Sequence, residues 1–166
     1  MMADCIPIRI AKAVASEINS AVLAETLSQQ FTAVFSFASE ITDFPDLNDD
    51  TLTVDVVPTS DQKVSLYAPG SYRHAVRVAV GIRRRVAPTD RTEAGNVDSD
   101  AITAYVNLLY EFFGMFAAGR NLTDEPDAVW DPTQEPVVKL YDPDELNEGL
   151  YFGWIHLPFV YKEGAA

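Results

Sequence analysis

Tyr72-Arg73-His74-Ala75-Val76-Arg77-Val78-Ala79-Val80-Gly81-Ile82-Arg83-Arg84-Arg85 is the stretch from which the fold can be read. Val76, Val78, Val80 and Ile82 share one parity, and Arg77, Ala79, Gly81 and Arg83 share the other. That period of two is the pattern of a strand with one apolar face, and it predicts a strand over residues 72–86. The same region concentrates charge. Arg73, Arg77, Arg83, Arg84, Arg85 and Arg91 are six of the twelve Lys and Arg residues in a chain of net charge −13. A basic strand set against an anionic body gives surfaces of opposite sign, which steer association and fix register.

Upstream of this strand, Ile10, Val14, Ile18 and Val22 recur at helical spacing with Ala11, Ala15 and Ala21 beside them, predicting an amphipathic helix over 7–27. Pro7 suits its first turn. Phe31, Ala33, Phe35, Phe37 and Ile41 then alternate with polar residues, predicting a strand over 31–41. Residues 42–50 read as a turn. Leu52, Val54 and Val56 give a strand over 51–58 that Pro58 should close, and 59–70 read as a loop, with a possible short edge strand at Lys63–Tyr67.

Downstream, Asp98 is placed as an N-cap with Asp100 in the first turn. Ile102, Tyr105, Val106, Leu109, Phe112, Phe113 and Phe116 mark the broad apolar face of a helix over 98–118, which Gly119 ends. Residues 121–136 read as an acidic surface connection anchored by Trp130, 137–141 as a strand, and Asp142–Leu146 as a turn or one helical turn. The final strand, 150–161, is apolar on both parities: Phe152 and Trp154 on one side, Tyr151, Ile155, Leu157, Phe159 and Tyr161 on the other. Such a strand is central, or its second face meets another subunit. Together these elements predict one α+β domain over residues 1–166, an antiparallel or mixed β-sheet of about five strands with two main helices on one face.

Composition narrows the function classes. At 48% hydrophobic and 22% charged, the 166 residues describe a globular chain. Lone Cys5 excludes an internal disulfide and a thiolate metal site. No run approaches the ~18–20 apolar residues of a membrane span, so a soluble protein is expected. His74 and His156 are far apart, and no HxH, HxxxH or CxxC spacing accompanies them, so both read as partly buried structural residues. No GxSxG elbow or Gly-rich phosphate loop occurs. The carboxylate runs near 43–50, 124–127 and 142–148 read as solvated turns; the first lacks the glycine and distal glutamate of a calcium loop. Catalytic, metal and cofactor-binding residues are therefore expected to be none.

Arg83-Arg84-Arg85 is a poor nucleic-acid patch, being one triplet in negative surroundings without interleaved aromatics. Two readings remain: a solvated strand end, or a docking element, since three consecutive arginines cannot all be buried and Arg pairs with carboxylates at interfaces.

Phe44 to Leu47, Thr51-Leu52-Thr53-Val54-Asp55-Val56-Val57-Pro58, the arginine strand, the Asp-initiated helix, Pro136-Val137-Val138-Lys139-Leu140-Tyr141-Asp142-Pro143 and the aromatic closing strand occur in one order. In that order the chain resembles the tail terminator, or tail-completion, proteins of long-tailed bacteriophages. Pro158 and the acidic 121–135 depart from the pattern. The resemblance implies a non-enzymatic virion protein of the neck, present in the host cytoplasm during assembly. It would form a homo-oligomeric ring, a hexamer in the family, that caps the tail tube, stops its polymerisation and joins it to the head-side connector. The partners implied are further copies of itself, the tail tube protein and the connector or stopper, with genome DNA passing through the lumen and no membrane. On this reading the partner interface falls on Arg77, Arg83, Arg84 and Arg85, with Tyr151, Phe152 and Trp154 as apolar anchors. The alternatives are another head–tail connector or stopper, and a ligand-binding or enzymatic α+β domain using His74 and His156.

Overall fold

The computed structural model describes residues 3–23, 31–37, 52–86, 90–119 and 121–164. The chain is an α+β protein. Helix α1 (Ile6–Ser20) is followed by strands β1 (Ala33–Phe35), β2 (Thr53–Ser65) and β3 (Tyr72–Arg85). Helix α2 (Ser99–Ala117), strands β4 (Ala128–Trp130) and β5 (Val137–Lys139), the short α3 (Pro143–Asn147) and strand β6 (Leu150–Glu163) complete the elements of the described residues. The six strands form one mixed sheet in the order β1-β2-β3-β6-β4, with β5 also on β6. Among the described residues, only the β1–β2 pairing is parallel; β2–β3, β3–β6, β4–β6 and β5–β6 are antiparallel.

The alternation read from Val76 to Ile82 is the organising register. Val76, Val78, Val80 and Ile82 are at most 1% exposed. They stand beside Val54 and Val56 of β2 and beside Ile155, Leu157 and Phe159 of β6. Ile10, Val14 and Ile18 of α1 join these residues in one core, as do Tyr105, Leu108, Leu109, Phe112 and Phe116 of α2. Both main helices therefore lie on the same face of the sheet, as expected. Asp98 caps α2 by accepting from the Asp100 amide at 2.9 Å, and Gly119 follows the helix at φ +79°.

Several boundaries differ from expectation. Helix α1 ends at Ser20, and Ala21 is already extended. The Asn19 amide is committed across the chain, donating to Ala33 O at 2.9 Å and accepting from Ala33 N at 2.7 Å. That pair fixes the last helical turn to the start of β1, and Val22, expected on the apolar stripe, is fully exposed. Residues 24–27, 38–41, the turn at 42–50 and residues 87–89 lie outside the described residues. Phe37 is exposed rather than inward, and Ser36 is buried.

Pro58 does not close β2. The register shifts between Pro58 and Ser60, so Thr59 is an extra residue and the strand runs on to Ser65. A bulge tolerates the missing proline N–H, and the segment expected as a loop becomes half of a long hairpin. Its tip turns at Ala68-Pro69-Gly70-Ser71, where the Ser71 amide donates to Ala68 O at 3.0 Å and Gly70 has φ +80°. Proline second and a positive-φ glycine third is the arrangement of a type II turn.

The acidic connection is less irregular than expected. It contains β4, and Leu122 and Ala128 are fully buried. Helix α1 holds it: Arg9 donates twice to Glu125, at 2.6 and 2.7 Å, and Glu17 accepts from the Thr123 amide at 2.6 Å. Trp130 is the anchor anticipated, edge-on to Phe113 and Phe159.

Candidate functional site

Strand alternation decides where each arginine of β3 goes. Arg83 projects from the face opposite the helices and is buried with Asp55 of β2. Arg83 Nε donates to Asp55 Oδ2 at 2.8 Å, its second contact is also 2.8 Å, and Ser36 Oγ donates to Asp55 Oδ1 at 3.2 Å. Arg73 and Arg77, on the same face, fasten the 131–134 loop: Arg73 reaches Asp131 at 3.5 Å, and Arg77 donates to Gln134 Oε1 at 3.0 Å. Arg84 points to the helix side, 3.9 Å from Asp90 and 5.8 Å above the Tyr105 ring. Arg85 is exposed. It lines an open cleft of about 390 Å³ with Arg91, Glu145 and Glu148 at the end of the sheet.

The predicted docking set therefore divides. Arg83 and Tyr151 are enclosed by their own chain, and Arg84 nearly so, and none of the three offers a surface to a partner. Tyr151 is 0% exposed; its ring lies 4.7 Å from Tyr105, and its hydroxyl donates to Leu140 O at 2.7 Å. Burial pushes the Tyr151 phenol above its ordinary range, with the neighbouring Tyr105 adding to the shift. Burial also raises Tyr105, to about 12. Phe152 and Trp154 project to the opposite face and stay partly exposed, as does Arg77. The physical reason for the division is that a strand with neighbours on both sides uses its polar side chains to pin adjacent segments.

The two histidines lie on opposite faces. His156 stacks on Trp154 at 4.4 Å between centroids, and burial, aided by the Arg77 charge, lowers its pKa. His74, on the helix side, is 4% exposed and stands between two carboxylates. Its Nδ1 is 2.9 Å from Asp61 and its Nε2 3.1 Å from Glu163. Sequence reading missed this group because Asp61 fell in the expected loop and Glu163 beyond the expected strand. Once β2 is extended through the bulge, Asp61 and Lys63 fall on the parity of His74. The two carboxylates meet opposite edges of the imidazole and do not converge on a common point. No group of three His, Cys, Asp or Glu suited to a metal ion occurs among the described residues.

Besides Val22 after α1 and Tyr110 on α2, the exposed large apolar side chains among the described residues fall at three places on the sheet. Val34 and Phe37 lie along the β1 edge; Val129, Val137, Leu140 and Tyr141 lie along or just beyond the β4 and β5 edge; Val64, Leu66 and Tyr67 lie at the hairpin end. The sheet is thus apolar at both lateral margins and at one tip, which suits contact with other macromolecules. Among the described residues, no helix is long and apolar enough to cross a membrane. Comparison with known proteins returned no matching family model and no matching curated protein.

Proposed function

We propose that this chain is a ring-forming structural protein of a bacteriophage neck, of the tail-terminator kind, which docks by shape and transforms no substrate. The observation that carries the proposal is the placement of exposed apolar residues on opposite edges of one sheet, Val34 and Phe37 on one and Val129 and Val137 on the other. Two different surfaces on opposite sides of a subunit make a head-to-tail contact, and head-to-tail contacts close into rings when the rotation permits. Short edge strands whose outer margins have no partner among the described residues supply backbone hydrogen bonds to such a contact. The order of strand signatures supports the family reading, and the net charge of −13 gives an assembled channel a wall that repels a DNA backbone. The docking surface then lies at the sheet margins, with Arg85, Phe152 and Trp154 as accessory contacts, since Arg83, Arg84 and Tyr151 serve the monomer.

Solution mass together with negative-stain imaging, alone and mixed with purified tail tubes, tests the proposal. An annular particle that binds a tube end is expected. Val34→Glu with Val137→Glu should abolish the annulus while leaving the circular dichroism spectrum intact, because both side chains are about half exposed, 52% and 45%. A particle that stays monomeric with and without tubes would refute the reading. A ring that binds heads without tails and ignores tubes would replace the terminator with a connector or stopper.

A further inference from the structure

Two apolar features are left without a partner among the described residues, and they have complementary shapes. One is a knob. At the end of the β2–β3 hairpin, just before the turn at Ala68–Ser71, Tyr67 is completely exposed and Leu66 and Val64 partly so. The other is a hole. Where α1 gives way to β1, an open groove of about 460 Å³ is lined by the apolar Ile18, Ala21, Val22, Leu23 and Phe31, with Asn19 and Thr32 beside them. Its walls are fixed from behind: Ile18 is buried, Phe31 stands edge-on to Phe112 of α2 at 5.8 Å, and Asn19 is tied to Ala33. Val22 lines the groove and is fully exposed.

Knob and hole lie at opposite ends of the strand direction. Ala33, to which the groove is anchored, pairs with Val54 at the start of β2, and the knob follows Ser65 at its end. At about 3.3 Å per residue the separation is roughly 35 Å. The two cannot meet within one chain, but they meet twice when two copies lie antiparallel. We propose that this chain forms a two-fold pair in which Leu66 and Tyr67 of each copy fill the groove at Ile18, Val22, Leu23 and Phe31 of the other.

The chemistry of the two halves matches. Residues 66–71 carry no charge, so the tip enters an apolar groove without desolvating an ion. Helix α1 ends beside the groove with no basic residue in its last turn. Ala21 N–H takes Ile18 O, and the helix end still gives the groove a negative pole. The Tyr67 hydroxyl brings a donor to that pole while its ring meets apolar walls. Area argues for reciprocity. One aromatic knob covers about 150–250 Å², a small part of the ~1,200 Å² or more of a stable interface. A two-fold pair makes both insertions in one interface and closes, whereas an open chain of copies makes one insertion per interface. The pair does not rest on the ring, since it uses none of Val34, Phe37, Val129 and Val137.

Sedimentation equilibrium of the full chain carrying Val34→Glu and Val137→Glu, in which no annulus should form, tests the pair separately from the ring. A monomer–dimer equilibrium is expected. The net charge of −13 sets two copies against each other, so added salt should tighten the pair. In that background Tyr67→Ser and Val22→Glu each change a fully exposed side chain and should leave the circular dichroism spectrum intact. Each should weaken pairing at least about tenfold. Mixed in equal amounts, the two variants should pair better than either alone, because Tyr67 of the Val22→Glu chain still meets an intact groove on the Tyr67→Ser chain. A chain that stays monomeric at every concentration, variants that pair like their parent, or a mixture no better than its components would overturn the pair.

Discussion

Replacing Arg83 by Met separates the two roles that this residue could have. Both side chains of the Arg83–Asp55 pair are only 7% exposed, so Arg83→Met leaves a carboxylate enclosed with the Ser36 hydroxyl at 3.2 Å as its remaining named partner. Breaking a buried pair from one side costs about 3–5 kcal/mol, much more than the ~0–1 kcal/mol of a surface pair. Against a typical total stability of about 5–15 kcal/mol the variant should fold but be marginal. With a urea m-value of about 2–3 kcal/mol/M, the midpoint should fall by roughly 1–2 M. Arg83→Met combined with Asp55→Val removes both charges, and it should be more stable than Arg83→Met alone, because apolar replacement of a buried pair is often neutral. Urea unfolding of the three proteins, followed by tryptophan fluorescence, provides the measurement. A loss below about 1 kcal/mol for Arg83→Met, or a double variant weaker than the single one, would refute the intramolecular assignment and restore Arg83 to the surface role its sequence context suggests.

Gly153→Ala tests the packing of β6 on α2. A methyl there would come within 2.6 Å of both Leu140 O and Tyr151 Oη and 2.9 Å of Leu109 Cδ1. The expected cost is about 1–3 kcal/mol, read by calorimetry as a fall of roughly 2–4 °C in Tm per kcal/mol; an unchanged Tm would contradict the geometry. Alkaline titration tests the tyrosine pair. Tyr105 is held up to about 12 and Tyr151 is raised by burial, whereas an unfolded tyrosine ionises near ~10. The unfolded chain loses these protons first, so stability should be complete below about pH 10 and fall toward pH 12. Phenolate absorbance should show two of the seven tyrosines ionising only with unfolding. The Val34→Glu, Val137→Glu ring test completes the set.

Period and capping carried much of the fold. The alternation through Val76–Ile82, the Asp98 cap and the aromatic face of α2 were legible because each is a local pattern with one structural solution. Pro58 misled for an equally local reason. A proline ends a regular ladder, but a bulge one residue later lets it sit inside a longer strand, and nothing nearby in sequence announces the bulge. The arginines misled for a non-local one. Whether Arg83 meets solvent or Asp55 depends on a partner 28 residues away on the next strand, and Arg73 and Arg77 are spoken for by a loop almost sixty residues downstream. Tyr151 was assigned to an interface because both parities of β6 are apolar; of the two readings such a strand allowed, the central one holds, with β3 on one side and β4 and β5 on the other, and Tyr151 faces the core. His74 was correctly read as buried, but its carboxylate neighbours are brought by β2 and β6 and could not be named before the register was known.

Strand β6 has a bearing on how the chain reaches its structure during synthesis. Every residue of β3 from Tyr72 to Arg85 pairs with β6, from Glu163 back to Leu150, and β4 and β5 have it as their common neighbour. A nascent chain that has emitted residues through 149 therefore holds one completed hairpin and several strands awaiting the same mate. The pairing that closes the sheet joins positions as far apart as Tyr72 and Glu163, and such distant contacts form slowly. Until then the inner margin of β3, a row of valines flanked by arginines, is an open template for any passing strand. The positive charges along it should keep two such intermediates apart, a safeguard that is no longer required once Leu150–Glu163 has taken its place.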